Sequence, residues 1–172
     1  SDIVDPNDTD VDLDVLTITG VSNAVSGSIV LNVDGTVTFT PASNFNGVAS
    51  FDYTIEDPDG LSDTATVTVN VGAVNDAPVA SAITPANFNE DTPSVMTLVY
   101  TDADSDQAGS CTISALSGVT VSTACACAAG TCTVGVTGTT DYNGAGSFNY
   151  TVTANGQTSN SVSSTFTIDN VD

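Results

Sequence analysis

Ten consecutive residues of this chain occur twice. Phe45-Asn46-Gly47-Val48-Ala49-Ser50-Phe51-Asp52-Tyr53-Thr54 returns as Tyr142-Asn143-Gly144-Ala145-Gly146-Ser147-Phe148-Asn149-Tyr150-Thr151, with six of ten positions identical at an offset of 97 residues. At that offset Val69 and Val71 fall on Phe166 and Ile168, and Val74 falls on Val171. Such a period exceeds a solenoid repeat and suits one immunoglobulin-sized β-sandwich per unit. Within each unit, Thr-Val-Thr-Phe-Thr at 36–40 and Ala-Thr-Val-Thr-Val-Asn-Val at 65–71 alternate apolar and polar residues, the pattern of strands with one buried face. Turn signals at Asp34-Gly35, Asn46-Gly47 and Asp59-Gly60 separate the runs. Capped helical periodicity is found nowhere. The expected fold is all-β, two tandem Greek-key sandwiches covering residues 1–74 and 75–172.

The repeat is unequal at its front. Ser1 aligns with Leu98, so nothing in the first unit matches Asp76 to Thr97, whose Val79, Ile83, Val95 and Met96 are expected to carry the first strand of the second sandwich. The first sandwich should therefore lack its N-terminal strand, leaving an open edge and an unfilled core groove. Either a preceding part of a longer chain or a neighbouring copy would supply that strand, as in donor-strand fibres. With no initial Met and no signal peptide, the chain reads as a piece of something longer. No apolar run approaches the roughly 18 residues of a membrane helix, so membrane insertion is not expected.

Charge narrows the function. Twenty-one Asp and Glu stand against no Lys, Arg or His, a net charge of −21. Apolar residues still make up 40 % of the chain, with a mean hydropathy of +0.16, which separates it from disordered acidic chains. Without basic residues there is no Ser-His-Asp or Cys-His relay, no Schiff-base lysine and no arginine clamp. Nucleic-acid backbone and anionic membranes would be repelled. A carboxylate pair, as in glycoside hydrolysis, is the one catalytic route left, and a pair singled out from this many acids identifies no site. No enzymatic activity is expected. Self-repulsion on this scale calls for an external counter-charge. The acids cluster, at Asp8, Asp10, Asp12 and Asp14, at Glu56, Asp57, Asp59 and Asp63, at Glu90-Asp91, and at Asp102, Asp104 and Asp106. Clustered carboxylates suit Ca2+, which takes six to eight oxygen ligands.

Several stretches carry a family resemblance. Val74-Asn75-Asp76-Ala77-Pro78-Val79 resembles the inter-repeat linker of cadherins and of tandem cadherin-like repeats, of the VCBS and RTX-adhesin type, in large bacterial surface proteins. Thr40-Pro41 through Ile55, Glu56-Asp57-Pro58-Asp59-Gly60-Leu61-Ser62-Asp63 and Asn7-Asp8-Thr9-Asp10-Val11-Asp12 are similar to the same repeats. The resemblance implies cadherin-like sandwiches with calcium at the seam between them. By position, Glu56, Asp57 and Asp59 would be ligands of the first domain, Asn75 and Asp76 of the linker, and Glu90, Asp91, Asp102, Asp104 and Asp106 of the second domain. Asp8, Asp10 and Asp12 form a second possible cluster. Gly72 and Ala77 depart from the animal linker, which implies one or two ions rather than three. Thr153-Ala154 replaces Glu56-Asp57 in the second unit, so a seam beyond Asp169 and Asp172 is expected to bind calcium poorly.

Cys111, Cys125, Cys127 and Cys132 all lie in the second unit. Their even number, without the two-by-two spacing of zinc sites, favours two disulfides and an oxidising, extracellular location. Cys127 and Cys132 flank a short turn and suit a hairpin bridge, leaving Cys111 to Cys125. The pairing Cys125–Cys132 with Cys111–Cys127 also fits. Asn7-Asp8-Thr9 and Asn149-Tyr150-Thr151 match the N-glycosylation pattern, though Asn149 falls inside an expected strand. The resulting expectation is an extracellular, calcium-stiffened repeat of an adhesin stalk or surface filament, partnered by calcium and by neighbouring copies or adjacent repeats. The alternative is a carbohydrate- or receptor-binding module of a secreted protein. That reading asks for an exposed aromatic platform, whereas Phe51, Tyr53, Phe148 and Tyr150 read as core.

Overall fold

A computed structural model describes residues 8–170, and every regular element among them is a β-strand. Two compact units meet in sequence between Val74 and Asn75. No helix of the described residues is long and apolar enough to cross a membrane. Ser1, Asn7, Val171 and Asp172, which enter the sequence reading, lie outside the described residues.

In the first unit, β1 (Thr17–Val25), β4 (Gly47–Glu56) and β5 (Ser62–Val71) form an antiparallel sheet with β4 in the middle, and β2 (Gly27–Leu31) pairs with β3 (Val37–Pro41). Alternation along β4 buries Ala49, Phe51 and Tyr53, as a period of two requires. Phe39 of β3 stacks on Phe51, ring centroids 5.9 Å apart, and joins the two layers. On the outer face Asp52 accepts hydrogen bonds from Thr66 at 2.6 Å and Asn23 at 2.7 Å, and these hold its carboxyl below the ordinary value.

The second unit is a fuller sandwich. One sheet runs in the order β10 (Val119–Ala128), β11 (Thr131–Gly138), β8 (Ser94–Thr101), β6 (Val79–Ser81). The other runs β13 (Gln157–Thr158), β12 (Gly144–Ala154), β14 (Val162–Asp169), β7 (Phe88–Asn89), with β9 (Ala108–Ser117) also paired to β12. The opening segment serves both sheets: β6 pairs antiparallel with β8 and β7 parallel with β14. Met96, Leu98, Val134, Val136, Phe148 and Tyr150 are among the side chains sealed between the layers. The Tyr150 hydroxyl accepts from the N–H of Val99 at 3.1 Å and faces the carbonyls of Val99 and Ser81, tying β12 to the opposite sheet.

The offset of the sequence repeat is visible in space. Phe51 and Tyr53 on β4 stand where Phe148 and Tyr150 stand on β12, and all four are buried. Among the described residues, however, the first unit has no counterpart of β6, β7 or β8, more than the single opening strand expected. Its core is correspondingly thin. Val37 and Phe39 are only half-buried, whereas Val134 and Val136, at the same repeat positions, are 1 % and 0 % exposed.

Candidate metal centre

The loop after β8 folds around one carboxylate. Asp102 Oδ1 accepts the N–H groups of Asp104 at 2.9 Å and Asp106 at 3.1 Å, and Ser105 takes a positive φ of 65° to close the turn. This is the local side-chain-to-backbone bonding that Asp favours in turns. Carboxylate oxygens of Asp102, Asp104 and Asp106 lie within 4.8 Å of one another. Asp102 Oδ2 and Asp106 Oδ2 are buried and have no hydrogen-bond partner.

Segments distant in sequence adjoin this loop. The backbone N–H of Asp76 donates to Asp104 Oδ2 at 2.7 Å. Asn75 accepts from Asn155 Nδ2 on its side-chain oxygen at 2.7 Å and from Gln157 Nε2 on its carbonyl at 3.1 Å. Asn75 and Asp76 therefore sit at the same end of the unit as Asp102, Asp104 and Asp106. Nothing local in the sequence marks Asn155 and Gln157, at the β12–β13 turn, as neighbours of this end.

Buried carboxylate oxygens without donors are costly. No side chain of this protein can supply the missing positive charge. Hard oxygen donors, three carboxylates and free lone pairs are the donor set that Ca2+ takes. The residues present fit the ion.

Glu90 and Asp91 are placed elsewhere. Glu90 is 2 % exposed, its N–H donates to the carbonyl of Asp169 at 3.1 Å, and its backbone abuts Gly138. Both acids precede β8 and the aspartate loop follows it. Eight extended residues, roughly 26 Å of strand, separate the two groups. The grouping of Glu90 and Asp91 with Asp102, Asp104 and Asp106 is thus corrected. They belong to the end of the unit that carries Asp169, which is richer in acid than Thr153-Ala154 had suggested.

In the first unit, Asp57 closes the β4–β5 turn, accepting the N–H of Leu61 at 2.8 Å, with Gly60 at a φ of +84°. Asp8, Asp10, Asp57 and Asp63 line one concavity beside Leu16, Ile55 and Leu61. Asp8 accepts from the Tyr53 hydroxyl at 2.7 Å, and Asp10 from the N–H of Asp12 at 2.7 Å. The two acidic clusters read separately from sequence are thus partly merged. Asp12 and Asp59 do not line the concavity and are exposed, and Glu56 lies at the end of β4. Asp63, which the sequence groups with Asp57 and Asp59 without marking it as a ligand, lines the concavity as well.

Two disulfides brace the second unit, Cys111–Cys125 and Cys127–Cys132. Cys111 is on β9 and Cys125 on β10, so the first joins the two sheets, and the second closes the β10–β11 hairpin where its cysteines are directly opposed. The sulfurs of Cys111, Cys127 and Cys132 crowd together, but as disulfides they offer no thiolate to a metal.

No curated protein matches the chain in sequence. Among solved structures, the protocadherin gamma B2 extracellular cadherin domains 1–5 match with 17 % identity and a TM-score of 0.49, over 91 % of this chain and 32 % of that one. InvD of Yersinia pseudotuberculosis matches at 20 % identity and a TM-score of 0.39, over 95 % and 50 %. An endo-fucoidan hydrolase of glycoside hydrolase family 107 matches at 20 % and 0.41, over 94 % and 24 %. The chain thus spans half or less of the length of each. The family model described as a cadherin-like domain matches twice, over residues 4–72 and 74–169, and the chain belongs to the cadherin-like domain family.

Proposed function

We propose that this chain is an extracellular repeat unit of an adhesin stalk or surface filament, of the bacterial tandem cadherin-like type, stiffened by calcium. The observation that carries the calcium reading is the pair of buried, unbonded oxygens of Asp102 and Asp106 in a protein without a single cationic side chain. Bound Ca2+ supplies charge neutralisation and a rigid coordination shell. Asp102 orders the loop through its bonds to Asp104 and Asp106, and Asp104 holds the linker through the N–H of Asp76. Ordering loop and linker together is what would fix the angle between consecutive units. Disulfides support the extracellular assignment. The role is mechanical rather than enzymatic.

Thermal unfolding in millimolar calcium against excess chelator, at fixed ionic strength, tests this reading. At about 100 times the dissociation constant one site adds about 2.7 kcal/mol. A calcium-specific rise in Tm that magnesium does not reproduce is expected. An unchanged Tm would remove the calcium role.

A further inference from the structure

The two disulfides of the second unit are not independent of each other. Cys111 on β9 and Cys125 on β10 join the two sheets, while Cys127 on β10 and Cys132 on β11 close a hairpin within one of them. Yet the Sγ atoms of Cys111, Cys127 and Cys132 lie within 4.8 Å of one another, a set that does not include Cys125. Cys111 is therefore bonded within one bridge and stands beside both sulfurs of the other. Disulfides exchange when a thiolate attacks a disulfide sulfur within its reach.

The bridges differ in access and in what depends on them. Both sulfur-bearing residues of Cys111–Cys125 are half-buried, whereas Cys132 is 0 % exposed beside the half-buried Cys127. Cys111–Cys125 is thus the bridge more open to a thiol from solvent. The hairpin does not need its bridge, because the ladder pairs Ala126↔Thr133 and Ala128↔Thr131 flank Cys127↔Cys132 and hold β10 to β11. No ladder joins β9 to β10 across the sandwich, since among the described residues β9 pairs with β12 and β10 with β11. A covalent link between the sheets is the one that matters.

We propose that Cys111 and the Cys127–Cys132 bridge form an exchange relay, which keeps the two sheets joined when a small thiol opens Cys111–Cys125. The external thiolate bonds to Cys125, and the electron pair of the broken bond leaves on Cys111. The Cys111 thiolate then attacks Cys132, forming Cys111–Cys132 and releasing Cys127, which takes a proton from solvent. Attack on Cys127 would instead free a charged sulfur at Cys132, shut away from water, which is costly. A second external thiol removes the first from Cys125 as a small-molecule disulfide and leaves Cys125 as a thiol. One disulfide has been reduced, and the break has passed to the hairpin. Cys111–Cys132 still links β9 to the opposite sheet. The relay belongs to the second unit alone and does not involve calcium.

The test uses the whole chain as Cys125→Ser and as Cys111→Ser, each left with one free cysteine beside the hairpin bridge. Both are acid-quenched from native buffer, alkylated and mapped by mass spectrometry. Cys125→Ser should yield Cys111–Cys132 with Cys127 alkylated. Cys111→Ser should keep Cys127–Cys132 with Cys125 alkylated, so that exchanged product is at least about tenfold scarcer. In denaturant the order should reverse, because loop closure alone favours the shorter Cys125–Cys132 loop by about fivefold. Retention of Cys127–Cys132 in both native variants overturns the relay, as does equal exchange in both. Cys111–Cys127 with alkylated Cys132 overturns the assigned attack on Cys132. If Cys125→Ser does not fold, the parent chain is treated with 2-mercaptoethanol, a neutral thiol that the acidic chain does not repel. Cys111–Cys132 is then expected together with 2-mercaptoethanol on Cys125. An opened Cys111–Cys125 with Cys127–Cys132 intact overturns the proposal.

Discussion

Gly146 lies directly opposite Phe166 in the β12–β14 ladder, and a Cβ on Gly146 would stand 2.5 Å from the phenylalanine ring. At the same place in the first unit Ala49 lies opposite Val69. In both repeats the smaller partner stands on the central strand, and the step from Ala49 to Gly146 makes room for the step from Val69 to Phe166. Gly146→Ala should therefore destabilise the second unit by about 1–3 kcal/mol through overpacking. Combined with Phe166→Val it should recover about 1 kcal/mol or more relative to the sum of the single changes. Chemical denaturation of the two single variants and the double variant measures this coupling. Strict additivity would mean that the two sites do not share the space.

The aspartate loop predicts a change of sign with calcium. Asp106→Asn removes a charge whose Oδ2 is buried and unbonded. In chelator this variant should melt above the parent, since the uncompensated charge is gone. In saturating calcium it should melt below the parent and lose most of the calcium-dependent shift. Asp34→Asn, in the exposed β2–β3 turn, should leave that shift unaltered. Scanning calorimetry with and without calcium decides.

Tyr150 sets an alkaline limit. Burial raises its hydroxyl above the ordinary 10.0, against the opposing bonds from Val99 and Ser81. A raised folded value means that its contribution to stability is intact below about pH 10 and declines as pH rises through the folded value. Tyr150→Phe should cost about 1–3 kcal/mol at neutral pH, because the Val99 N–H loses its acceptor. It should also flatten the decline above pH 10, which unfolding curves from pH 8 to 12 would record.

Reduction should act on one unit only. Cys111–Cys125 spans a sequence separation of 14, and closing a loop of that size is worth about 3 kcal/mol. The Cys111→Ser, Cys125→Ser pair should lower the stability of the second unit by about that amount, and a reductant, which also opens Cys127–Cys132, by at least as much. The first unit, with no cysteine, should be unaffected. Two-probe melting, reading Tyr53 in one unit and Tyr150 in the other by side-chain NMR, separates the transitions.

Strand class and core positions were legible in the sequence. Alternation at 65–71 placed Val67, Val69 and Val71 on the inner face of β5, and the repeat at 45–54 and 142–151 identified the central strand of each unit. These signals are local, since side-chain direction in a strand follows from position along the chain alone. The clustering of Asp102, Asp104 and Asp106 was legible in the same way, whereas the turn that Asp102 closes was not. The disulfide pairing was not, since spacing permitted two connectivities and only the division of β9 and β10 between opposite sheets selects one.

The sequence by itself therefore determined an all-β chain of two unequal cadherin-like repeats, acidic enough to require counter-charge, with the oxidisable cysteines confined to the second. Only the tertiary structure decided which acids meet. Glu90 and Asp102 are close along the chain, yet the extended β8 carries them to opposite ends of the unit. Asp76 and Asn155 are far apart along it, yet both reach the end that holds the aspartate loop, where Asp104 takes the N–H of Asp76 and Asn155 bonds Asn75. In a β-sandwich, strand length and antiparallel pairing set the separation of side chains, and neither is encoded in the spacing of the residues that make a site.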